Sequence, residues 1–486
     1  MTVDFTVVLP ELIVTLTAMA LIIADLFLPR SQRRLLAYLS MLGLIGAFIA
    51  VLVQHDSNKS GFYGSVVLDG FSLFSSAVFL IVGIFTLLLS VDYVELEHIN
   101  LGEYYVLVLG ALSGMMLMAA ANSLIVIFLA LELFSICLYV LAGFERTRDK
   151  AQESAIKYFL LSAFASAFLL YGMALTYGAT GSTMLSGIHT FLQNRHATSD
   201  PILIAGIGLM IVGFAFKMAV VPFHTWTPDV YEGAPTPVTA LMSVGTKLAA
   251  FAAFIRLFGV ALPTLQSHWG AIIWLLAVIT MVLGNLAAVV QVNVKRLLAY
   301  SSIAHAGYLL IAVYVARPGV SGNDGVPSLL FYFMVYAFMN IGAFAVVTAI
   351  GRTGEDNTLL PDFSGLAARK PWLAAAMALF MFSLASFPPT AGFWAKFYVF
   401  RAALQQGHGE LAVIGVLCSL ISVYYYLRVI LVMYLRPSLE GARSFTVPGA
   451  LATVLGLTAA GSIVLGFWPS GVLTLAQNAV LGSLLH

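Results

Sequence analysis

Apolar residues run through this chain in long blocks separated by short polar stretches, along nearly its whole length. A helix rises 1.5 Å per residue, so about 20 apolar residues cross the roughly 30 Å hydrocarbon core of a bilayer. The pattern predicts about fourteen such helices. They lie at 5–29, 33–54, 69–92, 104–120, 122–143, 152–177, 201–226, 236–257, 271–292, 297–316, 327–350, 371–406, 410–435 and 447–476. A β-barrel would instead show alternating segments of about 10 residues. The predicted fold class is an all-α polytopic membrane protein. The start, MTVDF, is acidic where a cleaved leader is basic, so the first block is expected to remain as a helix.

Two blocks are interrupted. Span 7 passes from GFAFKMAVV through Pro222 into FHTWTPDVYEGAP, and span 12 carries Pro388, Pro389 and Gly392 in its middle. Proline removes a helix hydrogen bond and clashes with the preceding turn. In lipid the freed carbonyls need partners inside the protein, so such breaks line polar cavities. The broken spans are five apart, and five is odd, so they cross in opposite directions. That predicts two inverted five-helix repeats, spans 4–8 and 9–13, paired by an apolar run, a proline break and a buried lysine. The expected division is 1–103 for helices 1–3, 104–257 for the first repeat, 258–435 for the second and 436–486 for the last helix.

Between the blocks, basic residues follow odd spans: Arg30, Arg33 and Arg34; Arg146, Arg148 and Lys150; Lys295 and Arg296; Arg352, Arg369 and Lys370; Arg436 and Arg443. Even-span loops hold little beyond Lys59, Arg195 and Arg317. Basic loops stay in the cytoplasm, which places both termini on the periplasmic side. The acidic loop with Glu95, Glu97 and Glu103 carries little weight in this rule. Two outer loops have a pattern of their own. Residues 55–70 read as a short hairpin or an irregular loop. Residues 184–196, with Leu185, Ile188, Phe191 and Leu192 on one face, read as an interfacial helix or an irregular loop.

Composition agrees with the pattern: 61% of residues are hydrophobic and 9% charged, against about 25% charged in soluble proteins. The net charge of +1 argues against a nucleic-acid partner. Cys137 and Cys418 are isolated in apolar runs and suggest no metal cluster, and no dinucleotide or phosphate-binding glycine motif is present.

Against this background the buried polar residues stand out, because a charge at mid-bilayer costs at least about 2.5–3.5 kcal/mol. Glu132 is central in span 5, with Ser135 and Tyr139 on its face. Lys217 precedes the first proline break and His224 follows it. Span 8 carries Thr236, Thr239, Ser243 and Lys247 as one stripe, span 10 carries Ser301, His305 and Tyr308, span 12 carries Lys396, and span 13 carries Ser422 and Tyr424–Tyr426. Burial disfavours a charged amine and a nearby carboxylate favours it, so amines beside one carboxylate form a switchable set. Water can bridge from hydroxyl to hydroxyl. The reading is a proton path through Glu132, Lys217, His224, Lys247, His305 and Lys396. Plainer roles stay open: Glu132 with Lys217 as structural glue, His305 as a hydrogen-bonded core residue, His224 as a partner for the carbonyls freed by Pro222, and Lys157 and Lys295 as cytoplasmic anchors.

FHTWTPDVYEGAPTPVTA (223–240) and VKRLLAYSSIAHAGYLL (294–310) resemble the signatures of the proton-conducting membrane subunits of respiratory complex I, relatives of the membrane subunits of multi-subunit Na⁺/H⁺ antiporters. The resemblance covers essentially the whole chain. The wording TPDVYEGAP, the lysine on broken span 12, where one sister subunit has glutamate, and the ending soon after span 14, without a long lateral helix, point to one branch of the family. The resemblance implies that Glu132 and Lys217 form the input pair, that Lys247 is a central relay and Lys396 a terminal one, and that His305 lies between them. It also implies a hydrophilic axis through two half-channels. NAD, FMN, iron–sulfur clusters and quinone would belong to partner subunits, and no cofactor or redox chemistry to this chain, which would act in a translocase. Its partners would be sister antiporter-like subunits, small membrane subunits and the bilayer of a bacterial inner membrane. The rival reading is a subunit of a Na⁺/H⁺ antiporter driven by gradients; a second is an assembly subunit with a dead channel.

Overall fold

The predicted blocks fold as helices in a computed structural model that describes residues 4–29, 32–195, 200–317, 322–351, 358–438 and 446–481. Arg30, His196, Arg352 and Arg443, used above, lie outside the described residues. In chain order the helices are α1 (Leu9–Phe27), α2 (Arg34–Val53), α3 (Gly70–Leu96), α4 (Gly102–Ala120), α5 (Leu124–Ala142), α6 (Asp149–Thr180), α7 (Leu185–Arg195), α8 (Pro201–Lys217) and α9 (Trp226–Gly233). Then come α10 (Thr236–Ala261), α11 (Gln266–Val289), α12 (Val294–Val315), α13 (Gly325–Ile350), α14 (Pro371–Leu384), α15 (Ala391–Gln405), α16 (Gly409–Leu435), α17 (Gly449–Phe467) and α18 (Pro469–Leu481). Among the described residues twelve helices are long and apolar enough to cross a membrane. The broken pairs α8–α9 and α14–α15 add two, which makes the fourteen expected.

The last span is shorter than expected. α17 stops at Phe467, where Trp468 leaves helical geometry, and Pro469 starts α18 as a separate helix. Proline fits the first turn of a helix, whose amides lack carbonyl partners anyway. The hairpin reading of 55–70 holds: β1 (Lys59–Gly61) pairs antiparallel with β2 (Val66–Leu68), Lys59 opposite Leu68. The segment after residue 184 is helical, but its apolar face does not rest in lipid. Leu185, Ile188 and Leu192 are buried by protein, against the last turns of α10.

Both broken spans turn in the same way. Before Pro222, the amides of Met218, Ala219 and Val220 reach the carbonyls of Phe214, Phe216 and Ala215 at 2.8, 3.0 and 2.8 Å. Before Pro389, the amides of Ala385, Ser386 and Phe387 reach Met381, Ser383 and Phe382 at 2.9, 2.9 and 3.0 Å. Ala219 and Ser386 both take positive φ, 59° and 64°. The correspondence extends beyond the breaks. Leu124 and Leu185 bond Thr183 and Asn122 as Val294 and Leu360 bond Thr358 and Val292. Ser123 caps α5 and Asn293 caps α12. Arg256 on span 8 donates to the Ala119 carbonyl at the end of span 4, and Arg428 on span 13 to the Val289 carbonyl at the end of span 9.

The lysines do not share this correspondence. Lys217 matches Leu384, and Lys396 lies beyond its break on α15. A proline turn needs only its backbone pattern, so side chains at matched positions are free to differ.

Charged residues at the ends of odd spans meet on one face. Arg34 bridges Asp92 and Glu95 at 2.7 Å each, Tyr93 donates to Glu145 at 2.6 Å, and Lys150 and Arg296 both reach Glu232. Glu95, of the acidic loop after span 3, thus partners Arg34 after span 1, while Arg33 bridges Asp25. Around the bundle, Leu26, Leu42, Phe164 and Leu420 are exposed, as lipid-facing residues are.

Candidate functional site: a buried line of amines and hydroxyls

Lys217 is the last residue of α8 and is 1% exposed. The helix stops there because the turn toward Pro222 begins, so the ammonium is delivered where the backbone opens. Its Nζ donates to Ser135 Oγ of α5 at 2.7 Å and to Ser162 Oγ of α6 at 2.6 Å. The rings of Phe134, Tyr139 and Tyr158 lie 5.5, 5.6 and 5.5 Å from it, within cation–π range. Tyr139 also donates to Ser162, at 2.7 Å.

Glu132 and Lys217 do not form a contact ion pair. Glu132 accepts instead from Ser166 Oγ at 2.5 Å, one turn along α6 from Ser162. The carboxylate and the amine thus bond serines on neighbouring turns of α6 without touching each other.

His224 faces the Pro222 carbonyl at the break, and two further residues hold the turn. Trp226, the first residue of α9, donates its Nε1 at 3.1 Å to the carbonyl of Phe216, which also accepts the Ala219 amide, and stacks on Tyr158 at 4.7 Å. Thr280 Oγ1 of α11 accepts the Val221 amide at 3.1 Å. His224 is half-exposed and its Nδ1 has no partner among the described residues. It bonds to none of the three lysines.

Lys247 directly follows a π turn at Met242–Thr246, which rotates it within α10. Its Nζ donates to the carbonyl of Ser302 on α12 and to Ser302 Oγ, the latter at 2.5 Å. Ser243 accepts from Asn340 Nδ2 of α13 at 2.5 Å. Thr239 belongs to the turn, bonding the Tyr231 carbonyl at 3.1 Å. The expected stripe on span 8 thus splits into a structural threonine and a polar centre.

Three residues beyond Ser302, His305 is held between two phenols: Nδ1 to Tyr332 Oη at 2.5 Å and Nε2 to Tyr426 Oη at 3.3 Å. Tyr426 also bonds Ser301. Asn285 of α11 links Tyr425, at 3.0 Å, to Tyr308, at 3.2 Å. The Tyr308 ring lies 4.5 Å from Lys396 Nζ, which donates to Ser419 Oγ at 2.8 Å. Lys396 lines a cavity of about 340 Å³ between α15 and α16. Gly392 makes this half-helix possible: a Cβ there would sit 1.8 Å from the Ser383 carbonyl.

The predicted residues fall into two groups: Glu132 and Lys217 against the serines of α5 and α6, and Lys247, His305 and Lys396 among Ser302, the tyrosines and Ser419; His224 joins neither. Of the tyrosine run, Tyr425 and Tyr426 are buried but Tyr424 is exposed. Lys295, a possible surface anchor from its place in the sequence, is 3% exposed and donates to the Ala234 carbonyl at 2.7 Å. Lys157 does anchor the face, bridging Glu153 and Asp229 at 2.6 Å each. Sequence reasoning missed Ser162, Ser166, Ser302, Tyr332, Asn285 and Ser419. The α6 serines were findable: Ser154, Tyr158, Ser162 and Ser166 recur every four residues. Tyr332 was findable in the same way, since Ser328, Tyr332, Tyr336 and Asn340 recur every four residues on α13, whereas Asn285 belongs to no such period.

An antiporter-like membrane domain described as "NADH:quinone oxidoreductase/Mrp antiporter, TM" matches residues 121–422. The chain belongs to this family of multi-pass membrane proteins. It is 49% identical over 479 residues to a Trichlorobacter lovleyi protein, covering 99% of this chain and 97% of the relative. It is 44% identical to a Chloroflexus aggregans protein, covering 99% and 98%. Both are named NADH-quinone oxidoreductase subunit N, the branch to which the lysine on span 12 points. Among solved structures, a chain of Thermus thermophilus respiratory complex I is 35% identical with a TM-score of 0.81, covering 96% of this chain and 98% of that one. A chain of the Dietzia Mrp complex, 21% identical with a TM-score of 0.84 and 99% coverage of both chains, shares the fold.

Proposed function

We propose that this chain is the proton-translocating subunit N of a bacterial NADH–quinone oxidoreductase. Its role is to move protons along Glu132, Lys217, Lys247, His305 and Lys396 while partner subunits carry the redox chemistry. The observation that carries this reading is that each of three buried lysines is seated on hydroxyls: Lys217 on Ser135 and Ser162, Lys247 on Ser302, Lys396 on Ser419. A hydroxyl both donates and accepts, and a lysine releases or takes a proton, so each group can hand one on, with water bridging from group to group. The serines that Glu132 and Lys217 bond give the input step its form. A proton transferred through Ser166 and Ser162 changes the charge of both ends without the two side chains meeting.

In this reading the cofactors NAD, FMN, iron–sulfur clusters and quinone reside in partner subunits. The protein sits in the inner membrane with sister antiporter-like subunits and both termini in the periplasm. The matched hydrogen bonds of the two halves support a division at 104–257 and 258–435. A chain built this way in a Na⁺/H⁺ antiporter is the second reading, favoured by the shared Mrp fold; adjacent genes for antiporter subunits rather than respiratory ones would favour it. The decisive test is Lys217→Ala or Glu132→Ala in the assembled complex. Proton pumping and coupled quinone reductase activity are expected to fall while the complex still assembles. Normal pumping in well-assembled variant complex would overturn the proposal.

A further inference from the structure

Away from the charged face, α11, α12 and α16 meet at their opposite ends around a cavity of about 540 Å³. Gln266, Trp274, Tyr314, Arg317 and His408 are among its walls. The volume falls within the roughly 300–1,000 Å³ of small-molecule sites. Arg317 is one of the few basic residues on a side otherwise poor in them, so the charge bias of insertion does not account for it. Its Nη1 donates to the carbonyls of Ala316 and Tyr314 at 2.9 and 3.3 Å, which fixes the guanidinium at the cavity. Its Nε and Nη2 make no hydrogen bond among the described residues, leaving donors in the planar fork that suits phosphate.

A carboxylate stands close by. Glu410 lies 3.3 Å from His408 Nδ1, and the Trp274 side chain also faces it. Tyr314 packs against His408 with ring centres 4.8 Å apart. The cavity thus combines a cation and aromatic rings with a carboxylate beside it. Next to it, Ile272 and Leu275 of α11 and Val413 and Leu417 of α16 are exposed apolar residues. Tryptophan and tyrosine gather where headgroups meet acyl chains.

We propose that this cavity binds the headgroup of a zwitterionic amine phospholipid, of the phosphatidylethanolamine type. The phosphate takes the free edge of Arg317. The ammonium takes Glu410 and the face of an aromatic ring. The acyl chains lie along α11 and α16. An anionic headgroup such as that of phosphatidylglycerol brings the Glu410 carboxylate hydroxyl donors but no positive charge, so the site favours the amine.

The test uses the intact complex in lipid nanodiscs, with photoactivatable phosphatidylethanolamine and phosphatidylglycerol carrying the reactive group on an acyl chain. Cross-linked peptides are mapped by mass spectrometry. Phosphatidylethanolamine is expected to label residues 266–275 and 408–417. Arg317→Ala is expected to lower that labelling about fivefold, as loss of one basic contact at a membrane surface does. Arg317 also caps α12, so Glu410→Gln, at an exposed side chain, serves as the second variant. It is expected to abolish the preference for the amine lipid, with labelling elsewhere on the chain unchanged. Equal labelling by the two lipids in the unaltered complex would overturn the proposal. So would labelling untouched by both substitutions, or cross-links from this face only to another protein subunit. Proton pumping is not the readout, so the result stands apart from the translocation proposal.

Discussion

Lys247 rests on a single residue, Ser302, through both its hydroxyl and its carbonyl. Ser302→Ala removes the hydroxyl and keeps the carbonyl. The ammonium keeps one fixed acceptor but loses the group that can relay a proton. Proton pumping, followed with a pH-sensitive dye in proteoliposomes, is expected to fall several-fold while assembly is unchanged. Asp69 and Arg256 make a different kind of contact. They form a buried ion pair at 2.7 Å, with Asp69 capping α3 and Arg256 also reaching the Ala119 carbonyl of α4. Removing one partner leaves the other charge buried, which costs about 3–5 kcal/mol. Asp69→Ala is therefore expected to lower the thermal stability of the subunit sharply. Replacing both residues with apolar ones of similar size should recover much of that loss, measured as a double-mutant cycle.

At the scale of elements, the half-helices set the requirement. α15 starts against the end of α14, and Gly392 touches the Ser383 carbonyl with no room for a side chain. Gly392→Ala is expected to prevent stable folding, because the obstructing atom belongs to backbone. Gly456→Ala on α17, where a Cβ would meet nothing within 4 Å, should leave the melting temperature unchanged. The elements were largely legible in the sequence. Apolar blocks gave the spans, prolines gave the breaks, and turn residues gave the hairpin. The partners of the buried lysines were not. Serines and tyrosines on α6, α12 and α13 take their roles only when three helices meet, and nothing in the spacing of one helix says which neighbour it will face. His224 shows the limit from the other direction. Its place beside Pro222 suggested a partner for the carbonyls there, and it does face the Pro222 carbonyl, but it is Trp226, two residues on, that reaches back to the Phe216 carbonyl.

The molecule as a whole is two-sided. The ends of the odd spans share a face laced with ion pairs; Asp56 is exposed in the loop after an even span and Gln152 in the first turn of α6, just after an odd one. With cysteine at either position, a membrane-impermeant maleimide should label position 56 only from outside the cell and position 152 only in inverted vesicles. The native Cys137 and Cys418 are buried and give little background. Labelling of both positions from the same side would refute the orientation.

The matched turns before Pro222 and Pro389 also speak to origin. A gene encoding five crossings, copied in tandem, yields a second copy that enters the membrane upside down without any further event, because an odd count returns the chain on the other side. The ancestral half must then have tolerated both insertions, with arginines and lysines spread evenly over its loops. The present charge asymmetry is in that case a later acquisition, gained once fusion had fixed each half in a single orientation. The differing positions of Lys217 and Lys396 then date from the same period, when two copies no longer had to be interchangeable and each could specialise.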